Sequence, residues 1–214
     1  MKAVSETPWF VKWLGRPGFF RRENCILTPR LLLRIPKHRD TRQFNAWASD
    51  PQVARFVFWD AHTSLSQTRS VLRGILSQSR LGGLSSFVIV RQDDRRMVGT
   101  IGLVWRDWQN NSAEAGFSLA RDCWGQGLMT EALTAFLRYV FEELGISRIE
   151  AQHDIRNRAS GRVMEKAGMR LEGILRARLY YKGERADVAL YAALREEWLD
   201  THHSNAHISI DSPF

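Results

Sequence analysis

The side chains best suited to chemistry lie in one short stretch of the chain. Alternating apolar and polar residues at 113–119 predict a strand, which places the carboxylate of Glu114 near its start. A loop with Gly125 and Gly127 follows, and glycine lets the backbone turn sharply and approach a bound group. Apolar residues at steps of three and four then predict a long helix from Gln126 onward. A strand, a glycine loop and a helix N-terminus in this order suit a phosphate group.

The start of that helix offers N–H groups with no intrahelical partner, which can donate to an anion. Two known phosphate loops do not fit. A P-loop needs a Gly-Lys pair, which the chain lacks, and the dinucleotide fingerprint needs a glycine where Thr130 stands. Two interpretations stay open: a simple sharp turn, or a pyrophosphate held by the backbone alone, as in coenzyme A binding.

The composition is that of a globular protein with a basic surface. Of 214 residues, 31 are Lys or Arg and 23 are Asp or Glu, which gives a formal net charge of +8. Such a surface attracts polyanions, so a phosphorylated cofactor, RNA or an acidic protein are all candidate partners. The chain has no dedicated nucleic-acid motif, and its 6 histidines show no metal-ligand spacing. Cys25 and Cys123 are too few for a disulfide framework, and we interpret Cys123 as a small buried residue.

The length predicts one domain with a segment added at each end. Residues 1–25 interleave aromatic and basic side chains, and this arm could wrap its own domain, contact a sister subunit, lie on a membrane or grip RNA. Residues 26–198 form the domain and residues 199–214 a loose tail. No apolar run reaches the 18 residues of a transmembrane helix and no signal-peptide core follows the first residues, so we expect a cytoplasmic protein.

The predicted elements follow the order strand, two helices, three strands, helix, strand, helix and two strands. The first strand is predicted at 27–35, and the early helical region includes helices at 52–59 and 64–79. Strands alternate with helices only in the second half, which favours a mixed sheet over a doubly wound one. We therefore predict an α+β fold with a mixed, mostly antiparallel twisted sheet of about seven strands and flanking helices.

Four stretches together carry a resemblance to a known family. They are residues 28–34, residues 113–117 with 124–132, residues 157–169, and residues 173–187. In this order and spacing they resemble the GNAT acyltransferase superfamily, and more narrowly its RimJ/RimL branch, which acetylates N-terminal amines of ribosomal proteins. The resemblance covers residues 26–198 and implies the GNAT fold, in which acetyl-CoA binds where two parallel strands splay apart.

The resemblance also implies a cofactor site. The pyrophosphate would meet the N–H groups of residues 125–130, and the pantetheine would run along the splayed strand edge. Asn157 would hold the pantetheine and also cap a short helix. Arg156, Arg158 and Arg162 either approach the adenosine 3′-phosphate or form a solvated face. The cofactor-binding residues so implied are Phe117, Leu119, Trp124, Gly125, Gln126, Gly127, Leu128, Met129, Thr130, Asn157 and Arg162.

The catalytic chemistry implied is direct attack of an amine on the thioester. Many GNAT enzymes place a general-acid tyrosine where this chain has Met164, which cannot donate a proton. Ser160, as in the RimJ/RimL branch, would stabilise or protonate the departing thiolate, or else be an ordinary first-turn serine. Glu114 would deprotonate the amine directly or through water, or else be a strand residue satisfied by its neighbours. This chemistry needs no metal.

The sequence leaves three functions open. The first is acetylation of a protein N-terminal α-amine, with a ribosomal protein as possible partner. The second is acetylation of a small amine such as a polyamine, amino acid or aminoglycoside. The third is a non-catalytic acyl-CoA-sensing or ribosome-associated module. A pocket closed by the helices at 40–80 would favour small molecules and an open groove would favour peptides. The chain would act as a monomer or homodimer.

Overall fold

The computed structural model describes residues 25–80 and 86–204 of the chain. The strands are β1 (Cys25–Leu27), β2 (Leu31–Arg34), β3 (Ser86–Arg91), β4 (Met97–Asp107), β5 (Ser112–Leu119), β6 (Arg148–Asp154), β7 (Arg170–Tyr181) and β8 (Glu184–Leu194). The helices are α1 (Thr41–Ala48), α2 (Pro51–Ala54), α3 (Leu65–Arg80), α4 (Leu128–Glu142), α5 (Arg158–Lys166) and α6 (Arg195–Ser204), with 3-10 turns at His38–Asp40 and Arg121–Cys123.

The strands form one mixed sheet in the order β1-β2-β3-β4-β5-β6-β8-β7, antiparallel except for the pair β5 and β6. This confirms the predicted α+β fold, with 8 strands in the described part of the chain where about seven were predicted. The predicted first strand is broken by a tight turn in which the Thr28 N–H donates to the Leu31 carbonyl at 2.9 Å and the Leu31 N–H donates to the Thr28 hydroxyl at 3.0 Å. Pro29 lies in that turn and has no N–H to continue a ladder.

The parallel pair is short and defines an opening in the sheet. Pairing between β5 and β6 runs from Ser112 opposite Arg148 to Glu114 opposite Glu150. Beyond that point β5 stays bonded to β4 as far as Leu119, while β6 stays bonded to β8. The two strands therefore diverge after three paired positions, and the β5 edge beyond Glu114 has no pairing with β6.

Helix α4 holds the glycine loop against the sheet. It begins directly after Gly127, whose φ of 74° is left-handed, a conformation that costs glycine little. The apolar face predicted from the sequence is buried, and Phe136 packs edge-on against Phe87 of β3 with ring centroids 6.1 Å apart. The apolar periodicity of α4 thus fixes the position of its N-terminus relative to β5.

Two predicted boundaries differ from the structure. The helix predicted at 52–59 is limited to α2, because the aromatic run that follows is poor in helix formers and faces a cavity. The tail predicted to be loose from residue 199 is helical up to Ser204, since α6 buries Trp198 against Phe141 with ring centroids 5.7 Å apart. The rest of that tail, and the arm at residues 1–24, lie outside the described residues.

The core contact of α4 leads to a stability prediction. Replacing Phe136 by alanine should lower the free energy of unfolding by about 3–5 kcal/mol, because a fully buried ring leaves a cavity behind. Urea unfolding followed by circular dichroism measures this change. The matched control is Phe58→Ala, whose ring is 68% exposed and should cost less than about 1 kcal/mol. Equal losses in the two variants would contradict the assignment of Phe136 to the core.

Candidate active site

A cavity of about 310 Å³ opens where β5 and β6 diverge. Its walls come from β3, β4, β5 and β6, from α1, α3 and α5, and from residues 56–59. Glu114, Phe117, Asn157 and Ser160 all line it. The structure therefore brings together both predicted catalytic residues and two of the predicted cofactor-binding residues in one concave site, the usual form of a small-molecule site.

Glu114 is half-buried at the last paired position of β5, where its Oε1 accepts a hydrogen bond of 2.9 Å from Gln152 Nε2. Burial raises the pKa of this carboxyl, and the negative charge of Glu150 raises it further. The hydrogen bond from Gln152 and the charge of Arg178 act in the opposite direction without cancelling the rise. A carboxyl with a raised pKa is a better proton acceptor than an ordinary glutamate.

Ser160 and Asn157 lie at the start of α5, on the other side of the opening from Glu114. Asn157 is the N-cap, and its Oδ1 accepts from the Ser160 N–H at 3.4 Å, which confirms the predicted cap. The Asn157 N–H in turn donates to the Asp154 carbonyl at 2.7 Å, which joins the helix start to the end of β6. Met164 lies one turn further along α5 and also lines the cavity, with 1% of its surface exposed.

The glycine loop is held by its own side chains. Trp124 Nε1 donates to the Leu119 carbonyl at 2.8 Å, which joins the loop to the end of β5. Gln126 Nε2 donates to the Asp122 carbonyl, also at 2.8 Å. Gly125 and Gly127 both have φ of 74°, so a side chain at either position would strain the loop. The loop is therefore a defined structure rather than a loose connection.

The first turn of α4 presents donors to the space beyond the loop. The first intrahelical bond runs from the Glu131 N–H to the Gly127 carbonyl at 3.1 Å. The N–H groups of Leu128, Met129 and Thr130 come before it and have no acceptor within the helix. The side chains of Leu128 and Met129 are buried, at 4% and 5% exposed. Any contact that these two residues make with a cofactor is therefore a backbone contact.

A cluster that the sequence did not reveal lies at the far end of the cavity. Asp154 is 3% exposed and accepts from Tyr181 Oη at 2.6 Å and from Arg156 Nη2 at 2.6 Å. Burial acts to raise the pKa of Asp154, but the bonds from Arg156 and Tyr181 outweigh it and lower that pKa to about 2. Burial and the bond to Asp154 raise the pKa of Tyr181 to about 12. Neither group changes protonation near neutral pH.

Arg156 belongs to this cluster, although its spacing in the sequence had grouped it with Arg158 and Arg162. Its guanidinium contacts Asp154 and Glu184, the latter at 2.7 Å, so it is held at the end of the cavity where Tyr181 lies. Arg158 and Arg162 are exposed on α5. The three arginines are close in sequence, but in the fold Arg156 pairs with carboxylates at the cavity whereas the other two lie on the exposed side of α5.

The cavity wall at residues 56–59 is largely aromatic, and a hydrogen bond that we call the latch joins it to the β7–β8 hairpin. Residues 56–59 all line the cavity. The Lys182 Nζ at the hairpin tip donates to the Ala54 carbonyl at 2.5 Å, and the Phe58 and Tyr181 rings lie 6.0 Å apart. The run Phe-Val-Phe-Trp was the sequence signal for this wall, but its apolar character is equally typical of a buried helix.

His153 is a further cavity residue that the sequence reading missed. Its Nδ1 lies 2.8 Å from the Asp154 carbonyl oxygen, which can only accept, so Nδ1 carries a proton. Its Nε2 is buried without a hydrogen-bond partner in the described part of the chain and lies close to Gly161, where a β-carbon would be 2.7 Å away. Gly161 thus lets the imidazole fit beneath α5.

Comparison with known proteins identifies the family that this fold and site define. A model of the acetyltransferase (GNAT) domain matches residues 30–170, and the chain belongs to that family. An uncharacterized N-acetyltransferase of Bacillus licheniformis is 31% identical over 173 residues, which cover 81% of this chain and 97% of the relative. The ribosomal protein uS5-alanine N-acetyltransferase of Escherichia coli is 35% identical over 179 residues, covering 81% and 92%.

Solved structures agree with this assignment. A GNAT-family acetyltransferase from Bacillus anthracis superposes with a TM-score of 0.72 at 27% identity, covering 80% of this chain and 99% of the other. RimL, a ribosomal alpha-N-protein acetyltransferase in complex with coenzyme A, has the same fold, with a TM-score of 0.74 at 23% identity and coverage of 80% and 98%. The protein is an N-acetyltransferase that uses acetyl-CoA as its acyl donor. Within the described ranges, every helix is too short or too polar to traverse a bilayer.

The environment of Glu114 leads to a pH prediction. Glu114→Gln should lower kcat by about a hundredfold or more, because an amide cannot accept the proton of the attacking amine. In the unaltered enzyme, kcat/KM should fall as the pH drops through the raised pKa of Glu114, since the protonated acid is inactive as a base. A pH–rate profile measured on both proteins tests this.

The control for the pH profile is Glu150→Gln. Removing this neighbouring negative charge should move the acidic limb to lower pH while leaving kcat at the plateau within about twofold, because Glu150 raises the pKa of Glu114 but is itself paired with Arg148 and does not line the cavity. An acidic limb that persists unchanged in Glu114→Gln would show that another group is titrating.

Proposed function

We propose that the protein transfers the acetyl group of acetyl-CoA to the α-amine at the N-terminus of a protein. The observation that carries the proposal is that Glu114, a half-buried carboxyl of raised pKa, and Ser160 line the same cavity at the opening between β5 and β6. The relative from Escherichia coli, named for acetylation of a ribosomal protein alanine, supports a protein substrate.

In this proposal, acetyl-CoA lies across the glycine loop and into the opening. The N–H groups of residues 125–130 donate to the pyrophosphate, with those of the first α4 turn aided by the helix dipole. The pantetheine pairs with the β5 edge that β6 leaves unpaired, and Phe117 and Asn157 contact it. Trp124 keeps the Leu119 end of that edge in place. Arg162, exposed on α5, is the candidate for the adenosine 3′-phosphate.

The reaction then needs three proton transfers. Glu114 takes one proton from the ammonium form of the amine, directly or through water, and the neutral nitrogen attacks the thioester carbon. When the tetrahedral intermediate collapses, the nitrogen loses its second proton to solvent, the carbon–sulfur bond breaks, and the thiolate receives a proton from the Ser160 hydroxyl, which solvent reprotonates. At pH 7 the first deprotonation costs about 1 kcal/mol for an α-amine but about 4.6 kcal/mol for a lysine, from their pKa values of about 7.7–8 and about 10.4. A single carboxylate base is therefore better matched to an N-terminus.

The acceptor end of the cavity supports an amine with one charge and apolar neighbours. Its wall at residues 56–59 is aromatic, and the carboxylate of Asp154 is already bonded to Arg156 and Tyr181. Among the described residues that line the cavity, Glu114 is the other carboxylate, and it can meet an incoming cation. A polyamine or aminoglycoside would bury further ammonium groups without partners, which is costly.

A second candidate is a small monoamine with an apolar side chain, such as an amino acid. The observation that favours it is the latch between Lys182 and Ala54, which closes one side of the acceptor end. A peptide must instead approach between this latch and α5. The two candidates differ in whether the acceptor extends beyond its first residue.

An amine panel distinguishes these substrates. We expect release of CoA thiol from acetyl-CoA with peptides that begin with free alanine or serine, because their α-amines are partly neutral at pH 7. Matched peptides with a blocked N-terminus and one lysine should react at least about a hundredfold more slowly. Turnover on single amino acids but not on peptides would replace the first candidate with the second. Coenzyme A binding without turnover on any amine would contradict both.

Ser160 is tested on the better substrate of that panel. Ser160→Ala should lower kcat by about tenfold to a hundredfold, because the thiolate then leaves without a proton donor, while KM for acetyl-CoA stays within about threefold. Steady-state kinetics in both substrates gives this separation. Arg158→Ala, an exposed position in the same helix turn, is the matched control and should leave kcat unchanged. An unaltered kcat in Ser160→Ala would remove Ser160 from the chemistry.

A further inference from the structure

The β1–β2 turn reaches across to the first turn of α4, where it surrounds one carboxylate. Glu131 Oε1 accepts from the Thr28 hydroxyl at 2.6 Å and from the Arg30 N–H at 2.9 Å. Its Oε2 accepts from Arg30 Nε at 2.6 Å. The Glu131 side chain is 17% exposed and that of Arg30 is 51% exposed, so the carboxylate is largely shielded while the guanidinium remains in contact with solvent. Residues about a hundred positions apart thus meet beside the glycine loop.

Arg30 continues from this carboxylate into the glycine loop itself. Its Nη1 donates to the Gln126 carbonyl at 3.0 Å. Its Nη2 lies 3.6 Å from the position that a β-carbon on Gly127 would occupy. One guanidinium therefore connects the first turn of α4 with the Gln126 carbonyl of the loop and lies beside Gly127. Its fork geometry allows several bonds in fixed directions, which a lysine ammonium does not provide.

The contact with Thr28 and Arg30 also keeps the Glu131 side chain negatively charged. Burial acts to raise the pKa of Glu131, but hydrogen bonds from Thr28 and Arg30 outweigh it and keep that pKa below its usual value. Glu131 is therefore a carboxylate at neutral pH, one turn into the helix whose N-terminus would receive a diphosphate. A bare carboxylate there would repel that diphosphate, and the Arg30 guanidinium compensates its charge.

We infer that Arg30 and Glu131 form a clamp that positions the glycine loop for the coenzyme A diphosphate and neutralises the charge beneath it. The two are positioning residues: Arg30 fixes the Gln126 peptide and so the direction of the loop N–H groups, and Glu131 holds Arg30. This inference rests on the placement of acetyl-CoA in the proposed function. It also explains why a threonine and an arginine in the β1–β2 turn matter to a site in another part of the chain.

The test compares two acyl donors in three variants. Arg30→Met should raise KM for acetyl-CoA about tenfold, because the Gln126 carbonyl loses its donor and Glu131 is left uncompensated, while kcat stays within about twofold. The same variant should leave KM for acetyl-pantetheine, which lacks the diphosphate, within about twofold. The double variant Arg30→Met with Glu131→Gln should recover part of the affinity, because it removes the repelling charge. Arg30→Lys should fall between the unaltered enzyme and Arg30→Met.

Matched controls separate the clamp from a general loss of folding. Arg138 and Glu142 form an ion pair on the exposed face of the same helix, and Arg138→Met should leave both KM values unchanged. Calorimetric titration of CoA gives the affinities without turnover, and thermal unfolding checks that each variant folds.

Three results would overturn the inference. Unaltered CoA affinity in Arg30→Met would overturn the clamp while leaving the proposed function intact. Equal losses with acetyl-CoA and acetyl-pantetheine would reduce Arg30 to a general structural role. Unaltered enzyme that bound no CoA would overturn the proposed function and the clamp together.

Discussion

The site depends on the early end of pairing between β5 and β6. Three paired positions hold the strands together, and the backbone then separates while each strand remains bonded on its other side. Because both strands stay in the sheet, the opening is rigid rather than a frayed end. It exposes a strand edge, gives the cavity its floor and places Glu114 at the point of separation. Edges of this kind invite a further extended partner.

The ionisable groups of the cavity have pKa values that are shifted in different directions. Asp154 and Tyr181 hold fixed protonation states, because each stabilises the other across a hydrogen bond of 2.6 Å and Arg156 adds its charge. Glu114 lies in a less polar setting and has its pKa shifted upward. Groups close together in one cavity can therefore be structural or reactive according to their partners. This separation of pKa values is a general mark of acid–base sites.

The elements that were predicted best from the sequence are those whose geometry depends on neighbouring residues in the chain. The strand, loop and helix around Gly125, and the Asn157 cap, depend on local contacts and were found where predicted. The aromatic wall at 56–59 was predicted as a helix, because apolar residues look alike whether they face a core or a cavity. The Asp154 cluster was missed for a different reason: Tyr181 reaches Asp154 through the register of β6, β8 and β7, which a single sequence does not display.

The latch between Lys182 and the Ala54 carbonyl joins residues 128 positions apart in the chain. During synthesis from the N-terminus, the glycine loop and Glu114 are complete while the hairpin that carries Lys182 is still being made. All of the described residues that line the cavity precede Lys182 in the chain, so the latch is the last part of this region to be synthesised. A contact this distant in sequence closes a long loop, and this closure costs chain entropy. Closure of that side of the cavity is thus the last contact that the growing chain can make there.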